Sequence, residues 1–131
     1  MKKDEMTEVA VGILRKSGKI LICQRKKGGR YEFKWEFPGG KLENGETTEQ
    51  CLHRELREEL SIEIHSIERI KTQAAYYEDG GIFSVAYCFL SGFEGEPQNN
   101  VFEQIRWVTL EELKHMDLLD GNKSFVSYLA Q

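Results

Sequence analysis

Leu52, Leu56 and Leu60 recur at i, i+4 and i+8 within TTEQCLHRELREELSI, and this stripe constrains the fold more than any other feature of the chain. An apolar stripe of helical period demands a partner surface. Residues 47–60 therefore read as a helix docked on a sheet, with Thr47 as its N-cap and Gln50, three residues on, completing a capping box. The same helix gathers Glu55, Glu58 and Glu59 toward its C-terminal end. At about 100° per residue the three acids fall within an arc of roughly 100°, beside the leucine stripe rather than opposite it. Like charges at these spacings cost about 0.2–0.5 kcal/mol per pair, and acids in the last turn oppose the backbone dipole by about 0.3–1 kcal/mol each. Arg54 precedes Glu58 in the weaker orientation, and one cation does not neutralise three anions. A solvated, charge-rich face accommodates such residue types. A divalent cation does more, because hard oxygen donors at the edge of a cleft suit Mg²⁺ or Mn²⁺, which usually arrive with phosphates.

Around this helix the chain reads as strands and short helices. VAVGIL and KILICQR are β-rich runs separated by Lys16-Ser17-Gly18, which reads as a hairpin of two strands. A basic loop, RKKGGRYEFK, leads into WEFPGG, where Gly39 and Gly40 mark a sharp turn or a close approach to the backbone. IEIHSIERI, GIFSVAYCFLSGF and QIRWVTL read as further strands, the middle one buried because it is almost continuously apolar. EELKHM and about Lys123–Ala130 read as short helices. Strands and helices alternate irregularly, which argues for a mixed sheet with helices on its faces.

Composition removes several function classes. A chain of 131 residues suits one domain, residues 1–131, with a core of its own. The formal charge of -4 provides no basic field for a DNA or RNA polymer, although a local site for a small anion is compatible with it. Cys23, Cys51 and Cys88 are odd in number and show no CxxC spacing, which argues against a disulfide framework or zinc knuckle and suits a reducing cytoplasm. The start, MKKDEMTEVAVGIL, is too short and too interrupted for a signal peptide or a membrane span. His53, His65 and His115 form no ligand spacing.

Gly40, Glu46 and the run Arg54-Glu55-Leu56-Arg57-Glu58-Glu59-Leu60, at these separations, resemble the signature of the Nudix hydrolases. WEFPGGKLENGET before the helix resembles the MutT-type branch, and weaker similarity in strand order and length extends over essentially the whole chain. The resemblance implies the Nudix α/β/α sandwich, a mixed β-sheet between helices. It also implies hydrolysis of a nucleoside diphosphate linked to a further group. By position, Glu55, Glu58 and Glu59 would hold Mg²⁺ (or Mn²⁺) or activate water, with the Gly39 carbonyl as a further ligand, and Glu46 and Arg54 would pair to brace the loop. A further acid on the loop before the Trp107 strand often takes part in the family; Glu103 is the nearest one, while Val101 stands at the more usual spacing. The signature's late glycine is Ser61 here.

Similarity to the MutT branch implies a nucleoside triphosphate cleaved to monophosphate and pyrophosphate, with 8-oxo-dGTP the branch's best-known substrate. LLDGNKSFVSYL resembles the region that supplies a base-reading Asn, which falls on Asn122; in Asp120-Gly121-Asn122 that residue also reads as a turn or helix N-cap. Relatives that prefer pyrimidine triphosphates carry Asp thereabouts, and Asp120 is two residues away. Arg25 ends a strand and would hold phosphate or base, and Phe37 would pack under the base or in the core. Lys26, Lys27, Arg30 and Lys34 would draw in a triphosphate or form a solvated loop. Tyr76 and Tyr77 keep a dinucleoside polyphosphate open, and no Pro between Pro38 and Pro97 disfavours ADP-ribose. A binding module that senses a nucleotide without turning it over stands as the second class, and the acting unit would be a monomer or homodimer.

Overall fold

The computed structural model describes residues 6–130. In chain order its elements are β1 (Thr7–Ile13), β2 (Arg15–Lys16), β3 (Lys19–Gln24), β4 (Trp35–Glu36), β5 (Gly39–Lys41), α1 (Thr48–Leu60), β6 (Glu63–Ile64), β7 (Ile67–Tyr76), β8 (Ile82–Leu90), β9 (Phe93–Glu94), β10 (Gln104–Val108), α2 (Leu110–Leu113) and α3 (Asp120–Leu129). A mixed sheet runs β5-β1-β8-β7, with β1 and β8 parallel in register from Thr7↔Phe83 to Ile13↔Phe89. A second, antiparallel sheet runs β10-β3-β2, and β4 joins it through β3. β6 and β9 pair separately.

Side-chain alternation sends successive residues of each inner strand to opposite faces. Ala10, Cys88 and Leu90 pack with Cys51, Leu52, Leu56 and Leu60 of α1, as the leucine stripe requires. Val11, Ile13, Tyr87 and Phe89 pack on the other side with Phe125 and Val126 of α3. A strand covered on both faces must be apolar at nearly every position, which is why β8 reads as an unbroken apolar run. The free cysteines are all buried; burial raises the Cys51 thiol to about 11 and the Cys88 thiol to about 12, so neither is a ready nucleophile at neutral pH.

Two expectations are corrected. VAVGIL and KILICQR do not form one hairpin along their length: β1 lies in the mixed sheet and β3 in the antiparallel one. Only Arg15–Lys16 pair with Lys19 and Ile20, around Ser17 and Gly18 at φ 52° and 78°, the positive values that a tight hairpin turn requires. Leu14, wholly buried, carries the chain between the sheets, because β5 and β8 already occupy both edges of β1. The last helix begins at Asp120 rather than near Lys123, so Asn122 sits in its first turn and is not a cap.

α1 starts as expected. The Thr47 hydroxyl accepts from the Gln50 N–H at 3.1 Å and the Gln50 carboxamide accepts from the Thr47 N–H at 2.9 Å. At its end Ser61 takes the left-handed conformation, φ 57° and ψ 38°, and donates its N–H to Arg57. Loop 95–103 then closes the helix: Asn100 gives its side-chain amide to the Glu58 carbonyl (3.0 Å) and the Ser61 hydroxyl (2.9 Å), and its backbone N–H to the Glu59 carbonyl (3.1 Å). These bonds satisfy carbonyls that a helix end leaves unpaired and offset the cost of a non-glycine residue there.

Candidate active site

The acidic end of α1 meets the double glycine of β5. Gly39 has φ 150°, and a Cβ on it would run into the Ala10 carbonyl of β1; a Cβ on Gly40 would run into the Glu55 carboxylate. The two glycines thus let β5 lie against both its neighbour strand and the helix acids. The Gly39 N–H donates to Glu59 Oε1 at 3.1 Å.

Arg54 braces this arrangement. Its Nε and Nη2 donate to the Glu46 carboxylate at 2.7 and 3.0 Å, its Nη1 reaches Glu55 (3.2 Å) and Glu58 (3.4 Å), and its Nη2 also bonds the Lys41 carbonyl at 3.2 Å. Arg54 together with the Glu43 N–H lowers the Glu46 carboxyl from the ordinary 4.5 to about 2. A carboxyl whose pKa falls on folding contributes stability that is present above pH 4.5 and is lost as the pH drops toward 2. The Tm gap between the wild-type chain and Glu46→Gln is therefore expected to narrow between about pH 6 and about pH 3. A gap independent of pH would show that the pair is not the source.

Glu59 has no cationic partner among the described residues. Burial first, then the negative charge of Glu55 and a hydrogen bond with it, raise the Glu59 carboxyl far above the ordinary carboxylate range, with only the Gly39 N–H opposing. Among the described residues, no three acidic, histidine or cysteine side chains already converge in a set that would hold a metal ion. Glu58 remains turned outward, its side chain 59% exposed, whereas that of Glu55 is 16% exposed. The donors nevertheless fit a divalent cation: they are hard oxygens, Glu59 is pressed against Glu55 while Arg54 reaches only Glu55 of the two, and the glycine backbone beside them leaves no side chain in the way.

Glu59, Gly39 and Gly40 line one end of a cleft of about 610 Å³, within the size range of small-molecule sites. Arg25 lines it too, tied bidentately to Glu36 (3.0 Å to each oxygen) and by its Nε to the Arg30 carbonyl at 2.8 Å. Burial raises the Glu36 carboxyl, with Arg25 opposing. Phe37 touches the cleft but belongs to the core, edge-on to Tyr87 and Phe125. Glu103 is exposed, its N–H bonded to the Gln24 carbonyl; Val101 and Phe102 of its loop line the cleft and it does not. Of the basic loop, Arg30 and Lys34 are paired with Asp79 and Asp117, while Lys26 and Arg30 line the cleft.

Asn122 lies at the cleft wall formed by α3, only 6% exposed. Its Nδ2 donates to the Tyr87 hydroxyl at 2.9 Å, and its Oδ1, fully buried, has no partner among the described residues. Tyr87 in turn donates to the Gly121 carbonyl at 3.1 Å, and Tyr77, which lines the cleft, accepts the Gly121 N–H at 2.9 Å. Burial raises the Tyr87 phenol to about 12, so it keeps its proton. Glu36 and Tyr87 escape sequence reasoning: Glu36 stands inside a quoted motif without a visible partner, and Tyr87 is hidden in an apolar run.

Known proteins share this framework. The 8-oxo-dGTP diphosphatase of Escherichia coli (strain K12) is 32% identical over 123 residues, covering 93% of this chain and 95% of that protein. The CTP pyrophosphohydrolase of the same strain is 35% identical over 108 residues, covering 82% and 79%. Among solved structures, the E. coli ORF135 protein in solution matches with TM-score 0.84 at 30% identity, over 96% of this chain and 90% of that one. The MutT protein from Methanosarcina mazei Go1 has TM-score 0.86 at 19% identity, over 98% and 96%, a likeness of fold alone. With the NUDIX domain model matching residues 6–129, on a fold that brings the acids of α1 against the double glycine, this chain belongs to the Nudix hydrolase family.

Proposed function

We propose that the chain is a divalent-metal-dependent nucleoside triphosphate pyrophosphohydrolase that releases pyrophosphate and a monophosphate, with 8-oxo-dGTP as the favoured substrate and a single domain as the acting unit. The observation that carries this reading is the cleft itself, lined both by Glu59, whose carboxyl is crowded by that of Glu55, and by Asn122, whose buried amide oxygen has no partner among the described residues. One part of such a site suits a phosphate chain with its cation; the other suits a base edge.

Glu55, Glu58, Glu59 and the Gly39 carbonyl would hold Mg²⁺, with Mn²⁺ as a substitute, whereas Glu103, exposed and outside the cleft lining, would add a ligand only if its loop turned inward. When bound, the cation lowers the pKa of water and neutralises charge building on phosphate oxygens. Glu59, once ionised, would take the proton from the attacking water: of the two acids that line the cleft, Glu36 is tied to Arg25, whereas Glu59 has no cationic partner among the described residues. Arg25 and Lys26 orient the phosphates, and Arg54 with Glu46 keeps the acids in place. A reducing cytoplasmic setting suits three free, buried cysteines, and no helix among the described residues is long and apolar enough to cross a membrane.

A pyrimidine triphosphate is the second reading, favoured by the 35% identity to a protein named CTP pyrophosphohydrolase. The deciding measurement is kcat/KM with Mg²⁺ on 8-oxo-dGTP, dGTP, CTP, dCTP, ADP-ribose and diadenosine tetraphosphate, with products identified. A marked preference for 8-oxo-dGTP with pyrophosphate released supports the first reading, and a preference for CTP or dCTP the second. Tight binding without turnover of any member would make the chain a nucleotide-sensing module instead. Asn122→Ala is expected to lower the 8-oxo-dGTP/dGTP ratio of kcat/KM by about tenfold or more, the worth of one buried hydrogen bond. Equal loss on every nucleotide would mark Asn122 as structural.

A further inference from the structure

Loop 95–103 is fastened along its length to the acid-bearing helix, the core and the antiparallel sheet. The Gln98 N–H donates to the Leu60 carbonyl at 2.9 Å, and Asn100 bonds the Glu59 carbonyl through its backbone N–H and the Glu58 carbonyl through its side chain. Asn99 turns the chain back on itself: its Oδ1 accepts the Phe102 N–H at 2.7 Å and its Nδ2 donates to the Phe102 carbonyl at 2.9 Å. One side-chain amide thus satisfies both backbone groups of Phe102, a buried member of the core that includes Cys23, Leu56 and Leu60. Beyond it the Glu103 N–H donates to the Gln24 carbonyl at 2.9 Å, and Gln104 stands opposite Gln24 in the β3–β10 ladder. Val101, between these fixed residues, is 46% exposed and lines the cleft.

We propose that Asn99 is a positioning residue that, with Asn100, fixes this loop as an apolar wall of the cleft and holds Glu103 outside the cation site. The inference rests on the nucleotide reading of the cleft and deepens it. The protein's donors to the cation then come from α1 and β5, and the loop offers Val101 to the apolar face of a base or sugar. Carrying Glu103 inward would open the Asn99 amide from Phe102, draw the Phe102 ring from the core and part the Glu103 N–H from Gln24. Backbone groups that lose their partners away from water are costly, and a core aromatic has no second place to go, so the loop keeps its form as the site fills.

Hydrogen exchange of the free wild-type chain, followed by NMR, is expected to show the Asn100, Phe102 and Glu103 amides protected at least about 100-fold. Fast exchange at Phe102 or Glu103 would overturn the proposal whatever the reaction. Mn²⁺ binding to the free protein, read by calorimetry, is expected to change less than about twofold in Glu103→Gln and to weaken at least about tenfold in Glu59→Gln. A greater loss in Glu103→Gln would put that carboxylate in the cation site and overturn the proposal. An unchanged affinity in Glu59→Gln would instead sink the cation reading of α1, and the wall then stands or falls on exchange and KM. Asn99→Ala, which leaves the bonds to α1 in place, is expected to speed exchange at Phe102 and to raise KM at least about fivefold, with kcat changed less than about twofold. A lower Tm with KM unchanged would make Asn99 a structural residue and overturn its positioning role. Absence of turnover sinks the hydrolase reading alone; calorimetric Kd for 8-oxo-dGMP and CMP then replaces KM, and binding of neither overturns both. Should Asn99→Ala fail to fold, wild-type exchange and Mn²⁺ binding by Glu103→Gln decide.

Discussion

Glu59→Gln is expected to lower kcat by about 10²- to 10⁴-fold, the range for loss of a positioned general base. In the absence of metal the same variant is expected to unfold at an equal or higher temperature than the wild type. The two effects have one cause. Glu59 is held in a buried place beside Glu55, where its charge is disfavoured, and Gln keeps the shape and the bond from the Gly39 N–H while removing that charge. Calorimetry without metal and steady-state kinetics with Mg²⁺ check the pair of outcomes. Full activity of the variant would remove Glu59 from the reaction, and a drop in Tm would mean that the crowded carboxylates are not under electrostatic load.

The double glycine separates a fold requirement from a site requirement. In Gly39→Ala the new methyl meets the backbone of β1, an inner strand paired on both sides that has no room to retreat, and φ 150° is itself strained for an L residue. The expected loss of stability is about 3 kcal/mol or more, read from urea unfolding. In Gly40→Ala the methyl meets the movable end of Glu55. The expected result is a chain that stays folded, with turnover reduced at least about tenfold because an acid has been displaced. Equal stability loss in both variants would show that the backbone, and not the carboxylate, is what Gly40 accommodates.

Much of α1 was legible because its determinants are local. A capping box spans four residues, a leucine stripe repeats every four, and the acids lie within about one turn of each other; the structure places α1 as this spacing requires. The Glu46–Arg54 pair, expected from the resemblance, is present with two short bonds. The start of α3 was misplaced for the complementary reason: Leu119 precedes it without a side-chain cap, so no residue announces the boundary and Asn122 passes for a turn residue.

Distance along the chain marks where sequence reasoning stopped. That β1 and β3 part into different sheets depends on β8 taking the edge of β1, a pairing of segments about 76 residues apart, as Thr7↔Phe83 shows. Arg25 had no visible partner until β4 brought Glu36 to it across the antiparallel sheet. Asn122 and Tyr87 are 35 residues apart, and the bond between them settles the orientation of an amide. Helical period, capping and crowded charge are properties of neighbouring residues and can be counted from a string of letters. Pairing across sheets and the direction of a buried hydrogen bond depend on how both faces of β8 are filled, and only packing in three dimensions resolves them.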